Sequence, residues 1–450
     1  MKDFLKMKKP LLVCILCVLS LGLFAQEQAK QITLFTNVQV FDGTSDQLIK
    51  ADVLVEGNLI KQISKEPLMV MQTDNVSIID GQGMTLMPGL IDNHWHTVFN
   101  FWPVSKLLNT DFAHLGINAG HHSGKTLLRG FTTVRDVGGN SFGVKKAIDE
   151  GTIFGPRIYP SGPTISQTSG HGDFLAPNAV PSNPDQALDY IQRTGHTIIA
   201  DGVPEVTKRT REALRMGATQ IKVMAGGGVS SLYDPLDVTQ YTKAEAEAMV
   251  EVAASWYTYV AIHANTDDAI QMWVRAGAKS VEHAFLITEE TAKLMAEKGA
   301  WFSMQPIIND EDAIRFEDPI STAKFVEVTD GLDNAIALAK KYKLKTAFGT
   351  DILFDAKLGE KQGKLLAKLK RWYTPYEILK MATSGNAELV KLCGPRDPYP
   401  HPIGVIKEGA YADLILVDGN PIENIDLVAD PENKFRVIMK DGVLYKNTLK

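Results

Sequence analysis

The sequence predicts an α/β fold: a (β/α)8 TIM barrel with a small β-sandwich domain built from both termini. Apolar, β-rich runs recur eight times across residues 86–400, and most are separated by segments with apolar residues at helical spacing. Alternating strands and helices indicate a parallel sheet, and eight repeats fit a barrel. A doubly wound open sheet is the alternative, which is weakened because no glycine-rich phosphate loop follows the first strand.

The two ends of the chain have a different pattern. The segments "ADVLVEGNLIKQIS" (51–64) and "FRVIMKDGVLYKN" (435–447) both resemble hairpins with glycine in the turn. Because strands of this kind occur at both ends, we expect the termini to meet in one small domain. The predicted organisation is a composite β domain from 26–85 and 401–450, with the barrel over 86–400.

The first 25 residues are predicted to be a secretory signal. Four lysines precede the apolar run "LLVCILCVLSLGLFA", which ends at the small residue Ala25. Cleavage there would give a secreted or periplasmic protein. A retained membrane anchor stays open as an alternative, although the run is short for a span. Cys14 and Cys17 would leave with the signal, so the mature chain would keep Cys393 alone and form no internal disulfide.

The composition is that of a globular enzyme. Of the 450 residues, 44% are hydrophobic and 22% charged, and the net charge is −6. Acidic and basic residues are interspersed without a basic stripe, so we expect no nucleic-acid partner. We also expect no membrane association once the signal is removed.

The stretch "PGLIDNHWHT" (88–97) carries two histidines one residue apart. In an extended strand, residues i and i+2 face the same side, so His94 and His96 would converge on one point. Barrel enzymes place their chemistry at the C-terminal ends of the strands. Histidine and aspartate, which commonly bind metals, also occur at the ends of later predicted strands, as His263, His283 and Asp351. Lys222 lies within the run that ends the fourth predicted strand.

This set resembles the amidohydrolase superfamily over essentially the whole mature chain. The motifs "MPGLID", "GFTTVRDVGG", "SGHGD", "IKVMAGGGVSS", "GAKSVEHA" and "GAYADLILVDGNP" are similar to the branch that holds bacterial Xaa-Pro dipeptidases and imidazolonepropionase-like enzymes. One local departure is "HWHT", where the branch more often has a small aliphatic residue between the histidines. Trp95 would point to the opposite face and leave the ligands undisturbed.

The resemblance implies two divalent metal ions, with zinc expected from the imidazole and carboxylate ligands. One ion would take His94, His96 and Asp351, and the other would take His263 and His283. Lys222 would carry a carbamate formed with carbon dioxide, whose two oxygens bridge both ions. The alternative is an unmodified lysine that extends out of the barrel end.

Other residues have less specific signals. The resemblance implies substrate contacts for His171, in "SGHGD", and for Tyr241, whereas a loop histidine bonding the backbone and a packed tyrosine are the alternatives. Arg135 and Asp136 are interpreted as structural, an ion pair or loop brace under the site. The remaining histidines are assigned to the surface or to helix faces: His114, His121, His122, His196 and His401.

The leading functional hypothesis is a binuclear hydrolase that cleaves an amide bond in a dipeptide or an N-acyl amino acid. Asp351 would act as the general base. A cyclic-amide hydrolase of the imidazolonepropionase type is an alternative, which the predicted secretion disfavours. A non-catalytic barrel scaffold is the second alternative. We expect a small-molecule or dipeptide substrate, and the family resemblance leaves a homo-oligomer open.

Overall fold

The computed structural model describes residues 30–176, 178–179 and 187–449, so the predicted signal (1–25) lies outside the described residues. The strands are β1 (Ile32–Val40), β2 (Ile49–Glu56), β3 (Leu59–Ser64), β4 (Val76–Asp80), β5 (Thr85–Pro88), β6 (Leu90–Trp95), β7 (Phe131–Asp136), β8 (Arg157–Pro160), β9 (Thr164–Ser166), β10 (Thr197–Ile199), β11 (Ile221–Met224), β12 (Val260–Ala264), β13 (Ser280–His283), β14 (Trp301–Met304), β15 (Thr346–Phe348), β16 (Leu414–Val417), β17 (Phe435–Lys440) and β18 (Val443–Asn447).

The helices lie mainly between the central strands. They are α1 (Val104–Leu107), α2 (Phe112–Leu128), α3 (Phe142–Asp149), α4 (Tyr190–Arg193), α5 (Val203–Met216), α6 (Lys243–Ser255), α7 (Asp267–Ala276), α8 (Glu289–Lys298), α9 (Pro319–Lys341), α10 (Ala356–Gly359), α11 (Gln362–Lys368), α12 (Pro375–Lys380), α13 (Asn386–Val390) and α14 (Pro431–Lys434). Short 3₁₀ segments and one π-helical turn complete the list: Leu369–Arg371, Lys391–Arg396, Ile425–Ala429 and Met381–Gly385. Across the described residues, no helix combines the length and the apolar character that a bilayer span requires.

The central strands form two parallel sheets. One has the order β6-β7-β8, and the other has the order β10-β9-β11-β12-β13-β14-β15. Side-chain amides bridge them: Asn386 Nδ2 donates to the carbonyls of Ile91 and Phe348, and Gln220 Nε2 donates to those of Asp136 and Tyr159. The arrangement is compatible with the predicted (β/α)8 barrel, with helices such as α6 and α7 where helical spacing predicted them.

Strands from both ends of the chain pair in one sheet of order β18-β17-β16-β5-β1-β2-β3, with β4 beside β1. Both predicted hairpins are present, with turns at Gly57–Asn58 and Asp441–Gly442. The apolar run over 85–92 is divided at Gly89, so β5 joins this terminal sheet and β6 begins the parallel one. Gly89 has no room for a side chain, because a Cβ would lie 2.1 Å from the Thr132 hydroxyl.

A buried ionic cluster links the terminal sheet to the parallel strands. Arg157 lies at the start of β8. Its Nε atom donates to the Asp413 carboxylate at 3.1 Å, and its Nη2 atom donates to the Asp441 carboxylate at 2.6 Å. Arg157 and Asp413 are both buried, and the guanidinium lies 3.8 Å from the centre of the Tyr411 ring. Because Arg157 and Asp413 are desolvated, each needs the opposite charge of the other to compensate for the loss of water.

We predict that Arg157→Leu lowers the free energy of unfolding by about 3–5 kcal/mol, since it leaves the Asp413 carboxylate buried and unpaired. The measurement is denaturant unfolding. Arg215→Leu is the matched control, because Arg215 is 77% exposed and its contact with Glu212 is a surface pair, for which about 0–1 kcal/mol is expected. Equal effects of the two substitutions would contradict the assignment of a linking role to Arg157.

Candidate metal centre

Six predicted ligand residues line one cavity at the C-terminal ends of the parallel strands. They are contributed by β6, β11, β12 and β13 and by the segment that follows β15, and they comprise His94, His96, Lys222, His263, His283 and Asp351. The cavity is therefore where parallel α/β folds of this kind place their chemistry. His171 lines the same cavity.

His94, His96 and Asp351 have the spacing of a metal site. Oδ1 of Asp351 lies 3.3 Å from Nε2 of His94 and 3.2 Å from Nε2 of His96, and one donor atom from each residue lies within 4.8 Å of the others. Two ligands about 2.1 Å from one zinc ion at a near-tetrahedral angle would be ~3.4 Å apart. The three residues thus fit one divalent ion.

The second nitrogen of three of these imidazoles is held by another group. Nδ1 of His94 lies 2.9 Å from Oε2 of Glu282, Nδ1 of His96 lies 3.4 Å from the Gly138 carbonyl, and Nε2 of His263 lies 3.3 Å from the Gly227 carbonyl. Such contacts fix the tautomer and orientation of a metal-ligating histidine. They leave Nε2 of His94, Nε2 of His96 and Nδ1 of His263 as the ring nitrogens available to a metal ion.

The other predicted ligands lie beside this trio. The ring of His283 is 5.0 Å from that of His94 and 4.3 Å from that of His263. Burial lowers the pKa of both His263 and His283 well below the usual value, so both rings are neutral and offer lone pairs. Neutral imidazoles are the form that binds metal.

Lys222 is fully enclosed among these residues. Burial lowers the pKa of its amine to about 8, although the nearby Glu282 and Asp351 carboxylates act in the opposite direction. Asp351 is largely enclosed, and this desolvation by itself favours the neutral acid, but the adjacent His94 and His96 hold the pKa of its carboxyl group well below the usual range. Asp351 is therefore a carboxylate and can accept a proton.

Arg135 and Asp136 both have structural roles, each with its own partners. The Asp136 carboxylate accepts from the backbone N–H groups of Thr97 and Gly138 and so braces the loop there. Arg135 donates to Oε1 of Glu282 at 2.7 Å, and both side chains are completely buried. An ion pair therefore lies under the site, and the acidic partner of Arg135 is Glu282 on β13, far from β7 in sequence.

Left-handed backbone conformations occur at two of the predicted ligands. His283 has φ 76° and Asp351 has φ 52°, and neither residue is glycine. Each such position costs on the order of 1–3 kcal/mol and persists where the surrounding structure fixes it. The backbone N–H of Asp351 donates to the His94 carbonyl at 2.8 Å, which holds this turn against β6.

The two predicted substrate-binding residues have different positions. His171 lines the cavity, its ring stacks on His263 at 4.1 Å, and Nδ1 lies 2.6 Å from the Ser231 hydroxyl. Tyr241 packs in the apolar core edge-on to Trp273, and burial raises the pKa of its phenol well above the usual value. A substrate contact for Tyr241 stays a prediction.

Sequence reasoning missed two residues of the site. Glu282 was not singled out, although an acid inside the apolar strand "SVEHA" signals a buried partner. His196 was assigned to the surface or a helix face, and this is wrong: it is 3% exposed and lines the cavity. No short motif surrounds His196, so the sequence contains little that could have identified it.

Known proteins with similar sequences belong to a family of metal-dependent enzymes. The sequence matches the amidohydrolase family over residues 85–446. The chain belongs to the amidohydrolase family. Members of this family are metal-dependent, which agrees with the trio of His94, His96 and Asp351.

Individual relatives narrow the activity class. The chain is 32% identical to an ochratoxinase from Aspergillus niger over 436 residues, which cover 93% of this chain and 88% of the relative. Among solved structures, a prolidase complexed with N-methylphosphonate-L-proline is 33% identical, with a TM-score of 0.84 over 92% of this chain and 100% of the other. A Xaa-Pro dipeptidase with bound methionine is 30% identical, with a TM-score of 0.78 over the same shares. The chain is therefore a hydrolase that acts on carbon–nitrogen bonds.

We predict that Glu282→Gln weakens metal binding about 10–100-fold, because His94 loses the carboxylate that orients its ligating nitrogen. Metal affinity is measured by competition with a chromophoric chelator. Glu247→Gln is the matched control, since Glu247 is an exposed acid on α6. Unchanged affinity in a folded Glu282→Gln protein would show that Glu282 does not support the site.

Proposed function

We propose that this protein is a secreted binuclear metallohydrolase that cleaves the amide bond of dipeptides, Xaa-Pro or Xaa-apolar, or of N-acyl amino acids. One observation carries the proposal: two imidazoles and a carboxylate converge at one point in a cavity that also encloses Lys222, His263 and His283. The prolidase and dipeptidase among the similar structures favour an amide substrate that ends in a free amino acid.

A carbamate on Lys222 is part of the proposal. Its ammonium form would be desolvated here and would lie beside two metal ions, which is electrostatically unfavourable. The lowered pKa of Lys222 increases the fraction of neutral amine, the form that adds to carbon dioxide. The resulting anion would lie in the cavity that His94, Asp351 and the two remaining histidines also line.

The reaction follows from the positions of the protein groups. When bound, two divalent ions, with zinc as the expected metal, would polarise the scissile carbonyl and lower the pKa of the attacking water. Asp351, held ionised by its imidazole neighbours, takes the proton of that water and transfers it to the leaving amine. His171 lies next to His263 and lines the same cavity, so its ring is placed to hydrogen-bond the substrate.

Further parts of the proposal concern architecture and location. We infer that the parallel sheets close into a (β/α)8 barrel, supported by the Asn386 and Gln220 bridges, and that the terminal strands form a separate small β domain. Residues 1–25 would direct secretion to the periplasm or beyond. A homo-oligomer remains part of the hypothesis through the family resemblance.

We predict close to two divalent ions per chain after expression in zinc-supplemented medium, measured by elemental analysis of purified protein. Lys222→Met should lower the content toward one ion or fewer, because the bridging anion is lost. Lys279→Met, one residue before β13, is the matched lysine control. Trace metal in the wild-type protein would contradict the metal centre, and full occupancy in Lys222→Met would contradict the carbamate.

We predict that Asp351→Asn lowers turnover by about 10²–10⁴-fold, as expected when a general base is removed. The readout is the single-turnover rate on a cleaved dipeptide, with metal content determined in parallel because Asp351 is also a ligand. Asp237→Asn, an exposed position in the loop after β11, serves as the control. Activity within a few-fold of wild type would remove Asp351 from the proton-transfer role.

We predict that the enzyme discriminates strongly against the C-terminal amide of any dipeptide it cleaves. A site that hydrogen-bonds a carboxylate leaves its polar groups unpaired when that carboxylate is neutralised. The measurement is kcat/KM for the acid and the amide, repeated with His171→Leu, which should reduce the difference. Equal rates for the two substrates would replace the dipeptide hypothesis by the cyclic-amide alternative.

A further inference from the structure

Aromatic and aliphatic side chains form most of the cavity beyond the metal centre. Aliphatic side chains of the segments around α9 contribute to it. Six phenylalanines also line it: Phe99, Phe174, Phe285, Phe316, Phe325 and Phe354. We call these six residues the aromatic wall. Such a surface favours a large apolar or aromatic substrate group, because rings pack well edge-on and offset against one another.

His196 is a polar exception on this apolar surface. Its ring meets that of Phe99 edge-on at 5.4 Å, and the side chain lines the same cavity. Its Nε2 atom is buried and has no hydrogen-bond partner among the described residues. A buried polar atom without a partner is costly, so its presence on a residue that lines a cavity calls for an explanation.

The proton of His196 can be placed from its contacts. Nδ1 lies 3.2 Å from Oγ1 of Thr194, and that hydroxyl donates to the Tyr190 carbonyl at 2.8 Å. The hydroxyl proton is thereby engaged, so Oγ1 is the acceptor and Nδ1 carries the imidazole proton. Nε2 therefore presents a lone pair. Burial lowers the pKa of His196 to about 4, which keeps the ring in this neutral form.

The position of His196 suits the distal part of a substrate. Phe99 contacts both His96, at 5.9 Å between ring centres, and His196, at 5.4 Å. His196 is thus connected to the metal ligands through an intervening ring rather than by direct contact. The tip of a long substrate side chain is the group expected there, since the scissile carbonyl belongs beside His94 and Asp351.

We propose that His196 is a specificity-determining residue whose Nε2 accepts a hydrogen bond from the hydroxyl of a phenolic substrate side chain packed against the aromatic wall. The enzyme then prefers tyrosine-containing amides to their phenylalanine counterparts. This deepens the proposed function and rests on it only for the reaction that serves as the kinetic readout.

The kinetic test uses matched substrates that differ by one hydroxyl group. Tyr-Pro is compared with Phe-Pro, and N-acetyl-L-tyrosine with N-acetyl-L-phenylalanine, so that the ring is tested on either side of the amide. One neutral hydrogen bond corresponds to about tenfold in kcat/KM, and we expect this tyrosine preference in at least one pair. His196→Phe should reduce the ratio to about one, whereas His196→Gln keeps a neutral acceptor and should retain part of it.

Two further variants separate recognition from structural support. Thr194→Val removes the acceptor of the Nδ1 proton and should lower the ratio while His196 remains in place. His114→Phe is the matched histidine control, because His114 is exposed on α2, and it should keep the wild-type ratio. If His196→Phe does not fold, Thr194→Val and the wild-type ratio still decide the outcome.

Equilibrium binding distinguishes failure of this inference from failure of the proposed function. Calorimetric titration of the wild-type protein with N-acetyl-L-tyrosine and N-acetyl-L-phenylalanine gives the same discrimination without turnover. Cleavage of both members of every pair at equal rates overturns the role of His196 and leaves the amidohydrolase function intact. Absence of cleavage, with tenfold tighter tyrosine binding that His196→Phe abolishes, overturns the proposed function and supports the role of His196.

Discussion

The buried ion pair between Arg135 and Glu282 is the constraint on which the metal centre depends. Glu282 is fully buried, which by itself favours the neutral acid, yet Arg135 and His94 hold its pKa well below the usual range. Arg135, on β7, contacts three other strands, because it also donates to the Asn93 carbonyl on β6 and to the hydroxyls of Ser280 on β13 and Ser303 on β14. Because Arg135 fixes Glu282, and Glu282 contacts Nδ1 of His94, this ion pair sets the orientation of His94.

Such a pair is not retained for stability alone. Desolvation of two charges offsets much of their attraction, so buried ion pairs contribute little net free energy. Its effect here is geometric, since Glu282 bonds the guanidinium through one oxygen and Nδ1 of His94 through the other. A histidine whose second ring nitrogen is held in this way needs little reorganisation to bind an ion.

The cavity separates the chemistry of the site from its recognition of substrate. Histidines, Lys222 and Asp351 occupy the strand ends, whereas the aromatic wall comes largely from loops and from α9. Loops vary without disturbing a scaffold of parallel strands, so one metal centre can serve different amides. This agrees with the finding that the similar proteins include both an ochratoxinase and a prolidase.

Local patterns in the sequence determined much of this protein. Glycine turns predicted both hairpins, helical spacing predicted α6, α7 and α8, and the histidine pair with four later residues predicted the ligand set that one cavity now contains. Those features depend on neighbours along the chain or on recognisable motifs. Only the tertiary structure decided that Arg135 pairs with Glu282, that Tyr241 packs in the core, and that His196 lies in the cavity. These depend on strand order and on packing between residues far apart in sequence, and no local pattern encodes such contacts.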